Sequence, residues 1–529
     1  MNATKNDKIS LLILTILFTL FAFFFFGKFG NILIDFSREC YIPLQMNNGE
    51  KLYSDIFLIY GFFGYFINSI ILKFTQNVNS LLILANIISY TILILFYIIS
   101  RKFLNEKQSF FFSFLFLTLS IFSNSTFSFV FPYSFSTLWA VLGCYLVIFS
   151  LLYDKKNLLF LSLGFIFVNK IEFFIIFGLI SIFSLLFKKE KFLKNSFWIL
   201  FFPILNLLYI AINQIPIDDI IKNANYITTM AKTSAIAYFY KGMGSFFEIN
   251  QFLFNLKNLF IVLFFSFISY QFFKKEQIFA TMSLILPFSI IHFYNVFNLS
   301  ILILIPIFFI TLRKKLLSSP EILLVIFTLA LNFKCLFKTS TFSYSNFGFA
   351  LIIMVLYVLF LKVLNKKWLV YFLIIFLIGF NIENINYFAK NQKIGLKTTI
   401  GQIQLNKDDF ETFKKTNEYI KTNIQKDENL IVIPEGQIFN FIHKKPWNYY
   451  NSTFTPLDFE TFGEENIIQK LNENKTDWII FYPRNTHEYG AKTICYDYGI
   501  DFCEYIMDNY ERKTIIEDKF KVLIFKIKK

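Results

Sequence analysis

Two carboxylates four residues apart, Asp35 and Glu39, flank a guanidinium at Arg38 just after the first long apolar run. On a helix this i,i+4 spacing puts both acids on one face. A carboxylate held against low-dielectric surroundings has its pKa raised and can then serve as a general base near neutral pH. A blander arrangement stays open, in which Asp35 starts the next helix and Arg38 pairs with Glu39. Further on, Asn169-Lys170-Ile171-Glu172 brings a cation and an anion between two apolar runs, and Lys241 adds another cation. Such cations can hold an anionic leaving group as its charge develops. They can also be a solvated hairpin pair and an ordinary interfacial lysine.

Membrane-spanning helices must position these groups. The 529 residues are 56% hydrophobic and only 16% charged, with mean hydropathy +0.54 and 77 Phe, more than a soluble surface can solvate. Apolar runs recur up to about residue 381, and about 20 apolar residues suffice to cross the hydrocarbon core. The run Ile9–Phe26 is followed by Gly27-Lys28-Phe29, not by a small-residue cleavage site, so it reads as the first span. Five Cys and three His are too scattered to give zinc or haem spacing.

The net charge of +15 lies wholly in the first 381 residues, in short Lys/Arg clusters between apolar runs. That pattern excludes a nucleic-acid surface and marks inside loops. The clusters are at Lys5/Lys8, Arg101/Lys102/Lys107, Lys155/Lys156, Lys188–Lys194, Lys274/Lys275, Arg313–Lys315 and Lys362–Lys367. Paired crossings between them give about 13 spans, the last at Trp368–Phe380, with a cytoplasmic N-terminus. Ile56–Phe74 is expected to lie at the outer interface, because a crossing there would expel the Arg101 cluster. Leu158–Phe187 is expected to be a hairpin turning at Lys170, because one long span would bury two charges.

The expected fold is thus an α-helical polytopic membrane domain over residues 1–381, with a first outer loop over about 28–78. A small extracytoplasmic α/β domain follows over 382–529. In that tail Asp408–Ile424, Gly436–His443 and Tyr498–Tyr510 read as helices. Asn429–Ile433 and Asp477–Tyr482 read as buried strands, and Lys513–Asp518 with Lys521–Ile527 as a closing hairpin. No GxGxxG, Walker, GxSxG or HExxH motif occurs there. Cys495 and Cys503 are either bonded or both reduced. His292, with Asn295 and Asn298, reads as a turn, and His443 and His487 read as structural.

The loop after span one reads Asp35-Phe-Ser-Arg38-Glu39, Tyr41-Ile-Pro43, Gly49-Glu-Lys-Leu-Tyr53-Ser-Asp55 and Tyr60-Gly61-Phe-Phe-Gly64-Tyr65. It resembles the first outer loop of GT-C membrane glycosyltransferases, the family of protein O-mannosyltransferases and lipid A aminoarabinose transferases, including glycosyltransferase family 39-like proteins. It differs in having Phe36 where many members carry a second acid and Phe62 where many carry Pro. The second outer loop, Ser123–Ser136, also lacks the acid that several members have there. The Lys170 turn and the segment Pro434–Phe441 are similar to segments of related proteins. The match is at motif level over residues 35–65 and at topology level over most of the chain.

The resemblance implies inverting transfer of one sugar from a polyprenyl-phosphate donor to a glycolipid, polymer or protein acceptor. The reaction would take place on the outer face of a bacterial cytoplasmic membrane. Asp35 and Glu39 would be the catalytic acids, with Asp35 as base. Arg38, Lys170 and Lys241 would face the lipid phosphate, and Glu39 and Glu172 would orient those cations. Tyr53, Asp55 and Tyr60 would contact substrate, although Tyr53 and Asp55 could simply shape the loop. A divalent cation on Asp35/Glu39 occurs in some members. The rival readings are a polysaccharide polymerase or ligase and a lipid-linked sugar flippase. A flippase favours an even span count, internal repeats and polar breaks at mid-membrane depth, none of which this chain shows.

Overall fold

The computed structural model describes residues 4–123, 127–187, 193–243, 249–273, 275–290, 293–333, 347–364, 392–474 and 476–528. Helices in the first part are α1 (Lys5–Phe24), α2 (Asp35–Asn47), α3 (Phe62–Thr75), α4 (Val78–Ser100), α5 (Glu106–Phe116), α6 (Phe135–Leu152), α7 (Lys156–Phe167) and α8 (Ile171–Phe187). Then come α9 (Leu193–Ser196), α10 (Phe201–Ile212), α11 (Ile217–Met230), α12 (Ser234–Met243), α13 (Ile249–Phe272), α14 (Gln277–Ile290), α15 (Phe293–Arg313), α16 (Ser319–Leu331) and α17 (Phe349–Phe360).

Local sequence explains where several of these helices begin. Thr4 with Asp7, Asn105 with Gln108 and Ser318 with Glu321 form reciprocal boxes, and Asn77 and Ser134 cap α4 and α6. In each case a side-chain oxygen takes an N–H that has no intrahelical partner.

Among the described residues four helices, α1, α4, α6 and α13, are long and apolar enough to cross a bilayer. Eight further apolar helices or helical segments are only 10–17 residues long. Four spans of full length are thus present among the described residues, and several of the other expected spans are apolar helices shorter than the roughly 20 residues that cross the hydrocarbon core. The expected span Trp368–Phe380, Lys188, Lys189, Lys191 and His292 lie outside the described residues; Lys194 falls in α9, and Asn295 and Asn298, expected in a turn with His292, lie in the helix α15. The hairpin at Lys170 is present, and α3 is a separate 14-residue helix following α2.

α6 is the central element, with 78% of its apolar window buried against 17% for α1 and 22% for α13. Among the described residues, the basic clusters around Arg101, Lys155 and Lys362 gather at one end. Arg101 pairs with Asp7 (2.7 Å), Tyr153 donates to the Ile98 carbonyl (3.0 Å), and Lys362 pairs with Glu321 (2.9 Å). The opposite end carries α2, α3 and the C-terminal domain.

That domain opens with a hairpin absent from the sequence reading, β1 (Lys393–Thr398) and β2 (Gly401–Asn406). Then follow α18 (Lys407–Asn423), β3 (Leu430–Ile433), α19 (Gln437–His443), α20 (Pro456–Phe462), α21 (Glu464–Glu473), β4 (Trp478–Phe481), α22 (Ile500–Asn509), β5 (Tyr510–Glu517) and β6 (Lys521–Ile527). The four-stranded sheet has the order β3-β4-β6-β5, with β3 and β4 parallel and the rest antiparallel. Cys495 and Cys503 are disulfide-bonded, closing a short loop; a closed loop of this length contributes about 2.5 kcal/mol by chain entropy.

The domain is fastened to the helical part at several points. Tyr41 Oη donates to the Lys445 carbonyl (2.6 Å), the Phe57 N–H to the Tyr450 carbonyl (2.9 Å), and the Val78 N–H to the Ile400 carbonyl (2.9 Å).

Candidate functional site

α2 begins at Asp35, so its first turn holds Asp35, Arg38 and Glu39, and an acid there complements the helix dipole. Arg38 Nη2 lies 3.2 Å from Asp35 Oδ1 and 3.5 Å from the Tyr133 carbonyl. Arg38 therefore pairs with Asp35, and Glu39 acts on it electrostatically. Glu39 is buried, and its Oε2 accepts the Phe135 N–H at 3.1 Å, at the N-terminus of α6. The second outer loop supplies this N–H and Tyr133 where the sequence comparison sought an acid.

Burial lifts Glu39 from 4.5 to about 7, against the pull of Arg38 and the Phe135 N–H. The carboxylate raised by its surroundings is thus the second of the pair. A folded-state pKa above the unfolded one means stability is full below about 4.5 and is lost as pH rises through about 7. Glu39→Gln keeps an acceptor for the Phe135 N–H and removes that titration. We expect it to raise stability at pH 8 by at most about 3 kcal/mol, seen as a higher thermal midpoint, and to leave the midpoint at pH 5 unchanged. An equal shift at both pH values would contradict a protonation origin.

Tyr60 joins the two cations. The Arg38 guanidinium lies 4.7 Å from its ring centroid and Lys170 Nζ 5.9 Å, both within cation–π reach. Lys170 also donates to Thr137 Oγ1 (3.2 Å) and lies 3.7 Å from Glu172 Oε1. The Tyr60-Gly61-Phe-Phe-Gly64-Tyr65 segment allows this approach. A Cβ on Gly61 would stand 2.3 Å from the Val168 carbonyl oxygen, and one on Gly64 would stand 2.7 Å from Ser136 Oγ. Ser136 Oγ donates to the Gly61 carbonyl (2.7 Å). Gly61→Ala must push α3 off the Lys170 turn. We expect a stability loss of about 1–3 kcal/mol in urea or thermal unfolding, and an unchanged midpoint would refute the contact.

The C-terminal domain adds groups that sequence reading missed. Glu435 and Arg484 follow the C-terminal ends of the parallel strands β3 and β4, where open α/β sheets place ligands. Arg484 Nε binds the Glu435 carboxylate, and its Nη2 lies 2.5 Å from Glu488 Oε1. Burial lifts Glu435 to about 7 against Arg484, with Asp35 pushing the same way and Arg38 opposing. Burial also drives the Tyr489 hydroxyl well above its usual range, and Glu435, Asp35 and Tyr60 are among its electrostatic neighbours. The signal available in sequence was a charged residue just after the proline that follows each apolar run, Pro434-Glu435 and Pro483-Arg484.

Other expected residues stand elsewhere. Tyr53 Oη donates to Asn206 Oδ1 (3.2 Å), and Asp55 accepts the Lys51 N–H (2.8 Å), so both shape the 51–56 turn. Lys241 is exposed at the end of α12; its neighbour Tyr240 is the residue that senses Glu172 and Lys170. Asp35 and Glu39 do not fit a divalent cation, because Arg38 already neutralises the first and an N–H binds the second. No group of three His, Cys, Asp or Glu suited to a metal converges among the described residues.

The assembled groups therefore offer a partly exposed carboxylate, Asp35, beside two cations and over buried acids. That combination suits deprotonating a hydroxyl next to an anion. No protein-family model matches the chain, and no curated protein matches it.

Proposed function

We propose that the chain is a GT-C-like membrane glycosyltransferase that moves a sugar from a polyprenyl-phosphate donor to an acceptor hydroxyl. The observation that carries this reading is the gathering of Asp35, Arg38, Tyr60 and Lys170 at one end of the helical part, beneath a second domain. Asp35 takes the acceptor proton as the hydroxyl attacks the anomeric carbon. Lys170, aided by Arg38, binds the lipid phosphate as negative charge develops on it. Glu39 fixes Arg38 from below.

In this reading the basic end faces the cytoplasm and the site faces outward from a bacterial cytoplasmic membrane. Thirteen crossings, some short and tilted or paired, would carry the chain through.

The test is the purified protein in liposomes with a polyprenyl-phosphate-linked sugar. We expect release of polyprenyl phosphate together with a product of inverted anomeric configuration. Movement of intact donor between leaflets without cleavage would favour the flippase reading and refute this one.

A further inference from the structure

A cavity of ≈ 460 Å³ lies where α12 meets the C-terminal domain, beyond the groups assigned above. Its wall includes Tyr238, Tyr489 and Tyr498 with the carboxylates Glu460, Glu464 and Asp497. Among the described residues lining it there is no lysine or arginine.

We propose that this cavity is an acceptor subsite for an uncharged or amine-bearing saccharide unit. The word acceptor rests on the transferase reading; saccharide binding does not. The volume falls in the range of small-ligand sites. Tyrosine rings give flat apolar faces for the C–H side of a sugar ring and bind an ammonium by cation–π attraction. Carboxylates accept hydroxyl and ammonium protons but repel phosphates and uronates.

The three acids are not equivalent. Glu460 is spent holding the cavity together: it accepts the Ser234 N–H (2.6 Å), the Ala235 N–H (3.1 Å) and Ser234 Oγ (2.6 Å), tying α20 to α12. Glu464 uses Oε1 for the Phe502 N–H (2.7 Å). Asp497 uses Oδ2 for the N–H groups of Lys492 (2.8 Å) and Thr493 (2.9 Å). Glu464 and Asp497 thus each retain a second oxygen for a ligand.

The cavity adjoins the Asp35 group through two residues. Tyr489 lines it and also has Asp35 and Tyr60 as electrostatic neighbours. On α12, Tyr238 lines the cavity while Tyr240 senses Lys170 and Glu172. Residues two apart on a helix point to different sides. One face of α12 thus lines the anionic cavity, while Tyr240 on another side lies within electrostatic range of Lys170 and Glu172.

The experiment is saturation-transfer NMR on the full protein in lipid nanodiscs, with glucosamine, N-acetylglucosamine and glucuronic acid as probes. We expect signals from the first two and little from glucuronate. Tyr238→Ala should weaken binding about five-fold or more, and Ala491→Lys should turn the preference toward glucuronate. The second variant adds a cation at the wall without removing a packed ring, so it decides the matter if Tyr238→Ala does not fold. Equal binding of glucuronate to the unaltered protein, no binding of any sugar, or no change of preference in Ala491→Lys overturns the proposal. Asp35→Asn should leave sugar binding intact. Binding without donor turnover in the unaltered protein would therefore sink the transferase reading alone, and turnover without sugar binding would sink the subsite alone.

Discussion

Asp35→Asn is expected to lower sugar transfer by about 10²–10⁴-fold, the usual contribution of a positioned general base. The substitution is nearly isosteric, and its carbonyl oxygen can still accept from Arg38 Nη2, now 3.2 Å away. Asp35 is partly exposed, so losing the ionic part of that pair costs the fold at most about 1 kcal/mol. Folding and donor binding should therefore survive while the chemical step fails. The assay is single-turnover release of polyprenyl phosphate beside a thermal melt of the same preparation. Transfer retained within a few-fold would remove Asp35 as base and pass the role to Glu435 or Glu39, the other carboxylates associated with the site.

The second large effect concerns stability. Arg38 is buried beside Asp35 and Glu39 and stacks near Tyr60. Its removal in Arg38→Ala leaves Glu39 in a low-dielectric pocket with only neutral partners, the Phe135 N–H and the Tyr65 hydroxyl. Breaking a buried pair from one side costs about 3–5 kcal/mol. Part of that loss is avoidable, because Glu39 can take a proton. The deficit should therefore be larger at pH 8 than at pH 6, since Glu39 becomes costly only when ionised. Adding Glu39→Gln to Arg38→Ala should recover much of the loss at pH 8. Additive effects of the two changes in a double-mutant cycle would show that the two side chains do not act as a unit. Arg38→Lys should rescue only in part, because an ammonium lacks the planar fork and stacks less well.

Much of the local architecture was readable in the residues. The short apolar runs in Asn429–Ile433 and Asp477–Tyr482 announced the strands Leu430–Ile433 and Trp478–Phe481, whereas the caps Thr4, Asn77, Ser134 and Ser318 were recognised only in the folded structure. The Asn169–Lys170 turn was legible because two charges inside one span would be too costly. The β1–β2 hairpin escaped notice: its exposed polar residues, Lys393, Lys397, Gln402 and Gln404, give little contrast between faces. Span boundaries were less legible, because apolar composition marks a helix as lipid- or core-compatible without setting its length.

The candidate site divides the same way. Asp35, Arg38 and Glu39 stand together in the chain, so local spacing revealed them. Tyr133, Tyr240, Glu435, Arg484 and Tyr489 come from segments far apart in sequence, and no periodicity relates them. Tyr60 and Lys170 were named separately, but only the close approach at Gly61 puts them in reach of one another.

What the amino-acid order alone determined is therefore the solvent each segment prefers and the short-range chemistry around Asp35, because hydropathy and helical spacing act over a few turns. Which carboxylate is buried, which cation faces it, and that a separate domain completes the site were decided by tertiary packing. Desolvation and Coulomb attraction depend on distance in space, and segments hundreds of residues apart become neighbours only when the chain is folded.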